Sequence, residues 1–288
     1  MTAPSRGYLT LAARAPRYLE MAVDMALSLR RHTALPVALA ADERIGVLAQ
    51  TRYAGVFDHV TLVPRRFREG RALKFGAAEA SPFEETIFVD ADCFVLGPLD
   101  GLLDALAGSD MAMTGEVLTS ADDRVHHGFS TRALMRRFEL ERYLKTNSGL
   151  FCFRRSAALG IMEECLRCHL GEVVPALRWE TLIGRWIGDE LAFGIVGGRR
   201  GIAPLPKPDA MYWPEEIAAL DLERPEKPLL HLIAPPAPAT LDALLAAAAA
   251  RRREAGVRGD AEAHWREEAR RVGRHARRWS LRRLLGRA

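Results

Sequence analysis

Residues 86–96 read Thr86-Ile87-Phe88-Val89-Asp90-Ala91-Asp92-Cys93-Phe94-Val95-Leu96. An apolar run leads into two acidic residues, and a second apolar run follows at once. This pattern predicts a buried strand with carboxylates at its carboxyl end. Because alternate side chains of an extended strand point the same way, Asp90 and Asp92 can reach one point in space. Carboxylates are rarely buried unless they are paired or bind a metal ion, and a solvated turn is the alternative.

Length and composition indicate one large soluble domain, with or without an appendage. The chain has 288 residues, of which 49% are hydrophobic and 27% are charged, as in ordinary globular proteins. Residues 1–7 show no basic-then-apolar leader, and no run of about 18 apolar residues occurs, so we expect a cytoplasmic protein. Four cysteines are too few to predict a disulfide framework.

The net charge of +4 is unevenly distributed along the chain. Residues 251–288 contain thirteen Arg and five Asp or Glu, a local balance of +8, which leaves −4 for residues 1–250. The basic character therefore belongs to the C-terminal tail. We expect no nucleic-acid partner for the body of the protein, which lacks the basic surface that such binding needs.

The first part of the chain alternates strand-like apolar runs with helical spacing. The predicted elements are strand 8–12, helix 16–32, strand 36–40, helix 45–53, strand 59–63, helix 72–80 and strand 86–96. Such alternation is typical of parallel βαβ units. The fold class is therefore predicted as α/β, an open sheet with helices on both faces, in which ligands bind at the carboxyl ends of the strands.

The second part of the chain continues this pattern with longer helical segments. We predict that residues 115–145 are polar, irregular and partly helical. The ordered elements are helix 99–107, strands 111–114 and 147–153, helices 156–171 and 181–193, and strand 228–233. Prolines at 235, 236 and 238 interrupt the pattern. They predict a boundary between a body at 1–236 and a helical, Arg-rich C-terminal extension at 237–288.

Several separated motifs between residues 7 and 233 agree with one known family. They are the strand at 8–12 with its following helix, Leu73-Lys74, Ser81-Pro82-Phe83-Glu84-Glu85, the 89–96 segment, Asn147-Ser148-Gly149, Gly188-Asp189-Glu190 and His231. In this order they resemble the family 8 glycosyltransferases of the GT-A fold, which include glycogenin and the bacterial lipopolysaccharide galactosyl- and glucosyltransferases. The resemblance implies a single Rossmann-like mixed sheet flanked by helices.

The activity that the resemblance implies is transfer of a sugar from a nucleotide-diphosphate donor, with a UDP-sugar expected and the anomeric configuration retained. Asp90, Asp92 and His231 would hold Mn²⁺ or Mg²⁺, which bridges the two phosphates of the donor as a Lewis acid. Two carboxylates and an imidazole suit Mn²⁺ slightly better, because Mn²⁺ tolerates nitrogen ligands. The alternative for His231 is a histidine satisfied by backbone groups within an apolar strand.

Further donor contacts also follow from the resemblance. Lys74 would reach the donor sugar or phosphate, although most lysines are solvated. The amide of Asn147 and the hydroxyl of Ser148 could hydrogen-bond sugar hydroxyls, or belong to an ordinary Asn-x-Gly turn. Thr10 and Ala12 would lie under the nucleotide base.

Ala91, between the two acids, completes the predicted donor-binding set.

The predicted catalytic residues are Asp189 and Glu190, either of which could stabilise the positive charge that develops at the anomeric carbon. The alternative is a solvated acidic pair on a helix.

Two departures from the family pattern concern donor binding and catalysis. After the late histidine the family commonly shows Gly and then Lys-Pro-Trp, whose lysine contacts the diphosphate, whereas here Ala234-Pro235-Pro236 follows. Glu190 stands where the family usually has Gln. These departures leave open a catalytically silent nucleotide-sugar-binding or assembly protein of the same fold.

Two other motifs suggest different chemistry. Cys165-Leu166-Arg167-Cys168-His169 matches the pattern of c-type haem attachment, but it falls inside a continuous helical pattern and no leader for export precedes it. A single pair of cysteines also supplies too few ligands for a structural zinc site.

Asp90-Ala91-Asp92 after an apolar strand could also be the start of a haloacid-dehalogenase-like phosphatase motif. Those enzymes require Thr or Val where Phe94 stands.

The tail carries an apolar stripe at helical spacing. Its residues are Trp265, Ala269, Val272, Ala276 and Trp279, with arginines around them. This basic amphipathic helix could dock on an anionic membrane surface, as would suit an enzyme with a lipid-linked acceptor. The stripe could equally pack on the body of the protein, and the acceptor could be another glycan or a protein.

Overall fold

A computed structural model describes residues 5–68, 72–183, 187–205, 210–259 and 261–284; for 182–183 and 275–284 it describes the backbone alone. The strands of this part are β1 Arg6–Ala12, β2 Val37–Ala41, β3 His59–Leu62, β4 Glu85–Val89, β5 Cys93–Val95, β6 Met111–Thr119, β7 Val125–His126, β8 Phe129–Ser130, β9 Arg142–Arg154, β10 Ala203–Pro204 and β11 Leu229–His231. The helices are α1 Pro16–Leu29, α2 Glu43–Arg52, α3 Ala77–Ala80, α4 Thr131–Arg137, α5 Arg155–Cys168, α6 Val174–Leu177, α7 Asp189–Arg200, α8 Pro214–Ile217, α9 Pro238–Glu254 and α10 Glu262–Leu284.

The central element is a mixed sheet of seven strands in the order β10-β6-β9-β4-β1-β2-β3, flanked by helices. β1 pairs with β4 in parallel, and β9 runs antiparallel to both β4 and β6. β4 is buried along its whole length, as is expected of a central strand that is covered on both faces. The predicted α/β fold class is therefore confirmed, and the antiparallel β9 makes the sheet mixed.

The described residues fall into two compact units. The first is drawn from Met1–Leu9, Thr61–Val89 and Gly101–Pro208. In it β4 and β9 carry buried aromatic side chains, and the rings of Phe88 and Phe151 stack with centroids 4.5 Å apart. α7 packs on β9, and α5 packs on α3 and α7.

The second unit is drawn from Thr10–Val60, Asp90–Asp100 and Asp209–Ala288. β5 and β11 form a small antiparallel sheet, on which α1 packs, and α1 also contacts α9 and α10. Arg252 of α9 is buried and forms ion pairs with Glu20 (3.0 Å) and Asp24 of α1. Breaking such a buried pair leaves uncompensated charges, so this network ties the C-terminal helices to α1.

The tail stripe is buried as far as its side chains are described. Trp265 is 0% exposed, and Ala269 and Val272 are 6% and 7% exposed. Trp265, Ala269 and α9 residues belong to one apolar core with Phe94 and Leu230 of the small sheet. The side chains of Ala276 and Trp279 lie outside the described residues. Within the described residues, no helix combines the length and apolarity needed to cross a membrane.

Two predicted elements need correction. Residues 86–96 do not form one strand: β4 ends at Val89, residues 91 and 92 form a turn, and β5 begins at Cys93 and joins a different sheet. The predicted helix 181–193 is also wrong, because α7 begins only at Asp189. Its apolar spacing continues to Val196, and the left-handed Gly201 (φ 72°) ends the helix.

The haem-like motif is part of a packed helix. Cys165 and Cys168 lie near the end of α5, and both side chains are buried. Burial raises the pKa of the Cys168 thiol to about 12. Both cysteines therefore behave as small apolar core residues.

Candidate functional site

Within the second unit the structure brings together Asp90, Asp92 and His231, here called the acid–imidazole cluster. His231 Nε2 lies 3.3 Å from Asp92 Oδ1 and 3.7 Å from Asp90 Oδ2. The side chain of His231 is 7% exposed, against 15% for Asp90 and 24% for Asp92. The cluster is thus partly buried, with the two acids more exposed than the histidine.

The turn between β4 and β5 creates this arrangement. β5 and β11 are antiparallel with His231 opposite Cys93, and Leu232 N donates to Asp92 O (3.0 Å). These backbone bonds hold the late histidine beside the two acids. The two acids and His231 therefore come together through the turn and the pairing of β5 with β11, and not through alternation of side chains along one strand.

The donor atoms of this cluster fit a divalent cation. Carboxylate oxygens and a neutral imidazole are the ligands that Mn²⁺ accepts. Atoms of Asp92, Cys93 and His231 lie within 4.8 Å of one another. Cys93 is a possible donor that sequence reasoning missed, because strand alternation would point it away from Asp92.

Within the first unit a second group of residues meets around Ser148 of β9. This Ser148 cluster consists of Lys74, Ser148, Asp189 and Glu190. Lys74 Nζ donates to the Ser148 hydroxyl (2.8 Å) and to the Ser148 carbonyl oxygen (3.3 Å), and the hydroxyl donates to Asp189 Oδ2 (3.0 Å). Lys74 Nζ also lies 3.7 Å from Asp189 Oδ2. Lys74 therefore makes its polar contacts within this cluster, and it is not a fully solvated surface residue.

Glu190 is held through both of its carboxylate oxygens. Ser148 N donates to Oε1 (2.9 Å), while Oε2 lies 2.5 Å from His127 Nε2 and 3.4 Å from His126 Nε2. Burial by itself would raise the pKa of Glu190, but the histidines His127 and His126 hold that pKa well below its usual value. The carboxylate is thus ionised at neutral pH.

Glycines on α7 explain how its first turn reaches β9. A Cβ at Gly198 would lie 2.1 Å from the carbonyl oxygen of Arg142, and one at Gly194 would lie 2.4 Å from the ring of Tyr143. Only glycine permits this close approach of helix and strand. The contact places Asp189 and Glu190 beside Ser148.

The other predicted donor-binding residues have simpler surroundings. Asn147 Oδ1 accepts a hydrogen bond from Gly149 N (2.8 Å), which is the local turn contact weighed as its alternative. Thr10, Ala12 and Ala91 are buried. The Thr10 hydroxyl oxygen is buried with no hydrogen-bond partner in the described part of the chain.

Sequence reasoning also missed His126 and His127. They lie in the stretch 115–145, which the sequence predicts to be irregular and partly helical. The structure has the β7–β8 hairpin there, followed by the helix α4. Two adjacent histidines in a chain with eight in total are the signal that could have drawn attention to them. Their partner Glu190 lies about sixty residues further along, a pairing that no local pattern reveals.

Comparison with known proteins gives similarity at the level of structure. No protein-family model matches the sequence, and no curated protein matches it. Among solved structures, the apo bifunctional glycosyltransferase WbbM aligns with 80% of this chain and 46% of its own, at 10% identity and a TM-score of 0.52.

Two further structures align less well. Mouse xyloside xylosyltransferase 1 in its apo form aligns over 78% of this chain and 97% of its own, at 12% identity and a TM-score of 0.48. The galactosyltransferase LgtC, in complex with donor and acceptor sugar analogues, aligns over 78% and 86%, at 10% identity and a TM-score of 0.47.

The fold is therefore of the α/β type found in glycosyltransferases of the GT-A class. The chain spans about half the length of the first two similar structures, at 46% and 54% of those chains. Similarity at this level of identity defines the fold, and a particular activity has to be argued from the site.

Proposed function

We propose that this protein is a metal-dependent glycosyltransferase that moves a sugar from a nucleotide-diphosphate donor, with a UDP-sugar as the expected donor, to an acceptor. The observation that carries this proposal is the acid–imidazole cluster, which directly follows a central strand of a glycosyltransferase-like sheet. The order of the motifs along the chain further supports a family 8 enzyme. Retention of the anomeric configuration is part of the proposal on that resemblance.

The acid–imidazole cluster is proposed to bind the diphosphate end of the donor. Asp90, Asp92 and His231 would hold Mn²⁺ or Mg²⁺, with the neutral imidazole as the nitrogen ligand. When bound, such an ion neutralises the charge that the departing diphosphate develops. The chain's own contribution is the backbone pairing of β5 with β11, which holds His231 beside Asp92.

The Ser148 cluster is proposed to serve the sugar end of the donor. Lys74 supplies a positive charge, and its bonds to Ser148 and Asp189 keep its ammonium group in one place. The Ser148 hydroxyl and the Asn147 amide are the groups proposed to bind sugar hydroxyls. Thr10, Ala12 and Ala91 remain the predicted contacts to the rest of the donor, and the buried Thr10 hydroxyl is a polar group that a ligand could satisfy.

Asp189 and Glu190 are the proposed catalytic residues. Loss of the nucleotide leaves positive charge at the anomeric carbon, and an ionised carboxylate held in place stabilises that charge without reorganisation. Glu190 meets this requirement because hydrogen bonds fix both of its oxygens. A carboxylate in the place of the family's usual carboxamide is therefore compatible with catalysis.

Arg271 of α10 is proposed to replace the missing family lysine. It lies in the second unit and pairs with the buried Glu268. The hydrogen bond to Glu268 and, to a smaller extent, the charges of Glu268 and Asp92 raise the pKa of Arg271. A second cation near the acid–imidazole cluster would help to hold a diphosphate, and this is the role proposed for Arg271.

The test of metal-dependent donor binding is calorimetry with UDP and Mn²⁺ on the full chain. Asp92→Ala should abolish both binding and UDP release from a UDP-sugar. The matched control is Asp104→Ala, an exposed acidic residue, which should change neither. Activity that is unchanged in EDTA would contradict the metal requirement.

The second candidate is a catalytically silent nucleotide-sugar-binding or assembly protein, which the missing Lys-Pro-Trp motif favours. Slow release of UDP in a long incubation distinguishes the two. Binding of UDP and Mn²⁺ without any release would support the silent protein, whereas release that depends on Glu190 supports the enzyme. Thermal-shift screening across nucleotide sugars then identifies the donor.

The acceptor side of the proposal includes a possible anionic membrane partner, with the protein cytoplasmic and peripheral at that surface. Burial of Trp265, Ala269 and Val272 leaves the arginines of α10 as the residues that would make such contact. Flotation with anionic liposomes, before and after removal of residues 275–288, tests it. Equal flotation of both proteins would contradict membrane docking by the end of the tail.

A further inference from the structure

The β7–β8 hairpin brings two histidines to Glu190. His126 pairs with Phe129 across the hairpin, and the two turn residues, His127 and Gly128, have φ of 50° and 89°. Two left-handed residues in succession make the tight turn that suits a two-residue hairpin. A non-glycine residue in this region is uncommon, so the position of His127 calls for an explanation from its side chain.

The inner histidine, His126, is neutral and has both ring nitrogens occupied. Its Nε2 lies 3.1 Å from the carbonyl oxygen of Thr146, and its Nδ1 lies 2.7 Å from the Tyr143 hydroxyl. Because a carbonyl oxygen only accepts, Nε2 carries the proton and Nδ1 accepts from Tyr143. Burial, together with the charge of His127, lowers the pKa of His126.

This arrangement argues against a metal site made of His126, His127 and Glu190, although their ligand atoms lie within 4.8 Å of one another. His126 has no lone pair left for an ion, since one nitrogen carries a proton and the other accepts a hydrogen bond. Instead, residues of β9 hold His126, the ring of His126 lies against that of His127, and His127 contacts Glu190. Tyr143 and Thr146 of β9 hold His126, whose ring lies 4.6 Å from that of His127.

The outer histidine, His127, contacts the carboxylate directly, with Nε2 2.5 Å from Glu190 Oε2. An ionised carboxylate only accepts, so His127 Nε2 donates. Ser148 N donates to the other oxygen at 2.9 Å. Together the two donors fix the plane of the carboxylate and oppose its protonation.

We infer that His127 is a positioning residue, which holds Glu190 in one orientation and in its ionised form by donating from Nε2, while His126 supports the hairpin from behind. The inference rests on the proposed function for its effect on sugar transfer. The hydrogen bond itself does not depend on that function. An ion pair that serves stability alone is the competing explanation.

Two substitutions of the full chain separate these explanations by the length of the donor. His127→Gln keeps an N–H donor near the place of Nε2, whereas His127→Asn tolerates the left-handed backbone equally well or better but is too short to reach. We expect His127→Asn to lower kcat for UDP release by about ten-fold to a hundred-fold, because a displaced catalytic group loses its alignment. His127→Gln should restore most of this loss, and KM for the donor should stay the same in both.

A role in stability alone makes the opposite prediction. Equal kcat for wild type and His127→Asn, or equal losses in both variants, would overturn the inference, as would an effect confined to KM. Thermal unfolding of the same samples controls for folding. A loss of kcat that follows unfolding temperature across the two variants would also count against positioning.

Nitrogen NMR of the histidine rings tests the hydrogen bond even if no nucleotide sugar is turned over. We expect the Nε2 proton of His127 to be visible and strongly shifted downfield, and to move back in Glu190→Gln. An unchanged signal in that variant would overturn the inference. Addition of Zn²⁺ provides the last test, because displacement of both ring protons by the ion would establish a metal site instead.

Failure of the proposed function would look different. Wild type would then neither bind UDP with Mn²⁺ nor release it, while the NMR signal of His127 still responded to Glu190→Gln. Turnover by wild type with no effect of either His127 substitution would leave the proposed function intact and remove the positioning role.

Discussion

Trp265 of α10 packs on Phe94 of β5 with ring centroids 4.2 Å apart, and its indole N–H donates to Asp24 Oδ2 at 2.8 Å. Phe94 lies two residues after Asp92 on the same strand that carries Cys93 opposite His231. The C-terminal helix is therefore a part of the core beneath the acid–imidazole cluster.

Trp265→Ala should destabilise the protein by about 3–5 kcal/mol, because it removes a fully buried aromatic side chain and leaves a cavity. It also leaves the buried Asp24 carboxylate without one of its donors. Urea unfolding measures the loss, and affinity for UDP and Mn²⁺ should fall with it as β5 loosens. Trp179, 68% exposed, is the matched control, and a similar loss in Trp179→Ala would contradict the prediction.

Gly198→Ala should push α7 away from β9. The new Cβ would lie 2.1 Å from the Arg142 carbonyl oxygen, and such overpacking typically costs about 1–3 kcal/mol. Asp189 and Glu190 move with the helix, so kcat should fall more than stability alone explains. For comparison, Gly160 of α5 has no atom within 4 Å of its Cβ position, and Gly160→Ala should stabilise by about 0.5–1 kcal/mol. Equal behaviour of the two variants would show that α7 does not need its close approach.

Arg271→Gln should raise KM for the donor and weaken the binding of UDP with Mn²⁺, if Arg271 supplies the cation that the missing lysine would provide. Removal of one charge contact to phosphate should cost about ten-fold to a hundred-fold in affinity, since charge-assisted hydrogen bonds contribute roughly 1.5–3 kcal/mol each. The exposed neighbour Arg270 is the control. Equal effects of Arg270→Gln and Arg271→Gln would indicate a general contribution of tail charge, which added salt would screen.

Stability should fall in mild acid because of His126. Burial and, as the smaller cause, the charge of His127 lower the pKa of His126 in the folded protein. In the unfolded chain this histidine binds a proton near pH 6.5, whereas in the folded protein it is still neutral at that pH. The free energy of unfolding should therefore decrease as pH drops through about 6.5 and below, by at most about 1.4 kcal/mol per pH unit for one proton. Glu190, whose folded pKa is depressed, stabilises the fold above its unfolded pKa and loses that contribution only at lower pH.

The measurement compares urea unfolding at a series of pH values for wild type and His126→Gln. The charged or titratable groups that act on His126 are His127, Glu190 and Lys145, and all three are kept in the variant. The difference between the two proteins should shrink as the pH falls below 6.5. His59→Gln, on an exposed strand position, serves as the control, and a constant difference for His126→Gln across pH would refute the assignment.

The fold class and the candidate acids were accessible from local patterns. β4 ends in the apolar run Ile87–Val89 and is followed directly by Asp90, and alternation of strands and helices upstream of it is enough to predict an α/β sheet. Element limits were less accessible where turns intervene. The turn at residues 91–92, which separates β4 from β5, contains no glycine or proline. The acids at 90 and 92 were its only signal, and Asp in a turn is as ordinary as Asp at a metal site.

Contacts between distant residues were beyond sequence reasoning for a physical reason. His127 and Glu190 are 63 residues apart, and their contact depends on the packing of α7 against β9. The glycines of α7 permit this packing, but the sequence alone does not predict from them which strand the helix contacts. The sequence also could not predict what covers the apolar stripe of the tail, because an arginine-rich amphipathic helix has the same pattern whether the stripe contacts a membrane or a protein core.

By itself, the sequence determined the alternation of strands and helices, the acids at the end of the central strand and the basic tail, because these depend on periodicity and composition along short stretches. Only the tertiary structure decided that Asp90 and Asp92 converge with His231 through a turn and a second sheet. It likewise decided that Glu190 is held by His127 and Ser148, and that Trp265 is core. Each of these depends on which buried surfaces fit together, and that information is distributed over the whole chain.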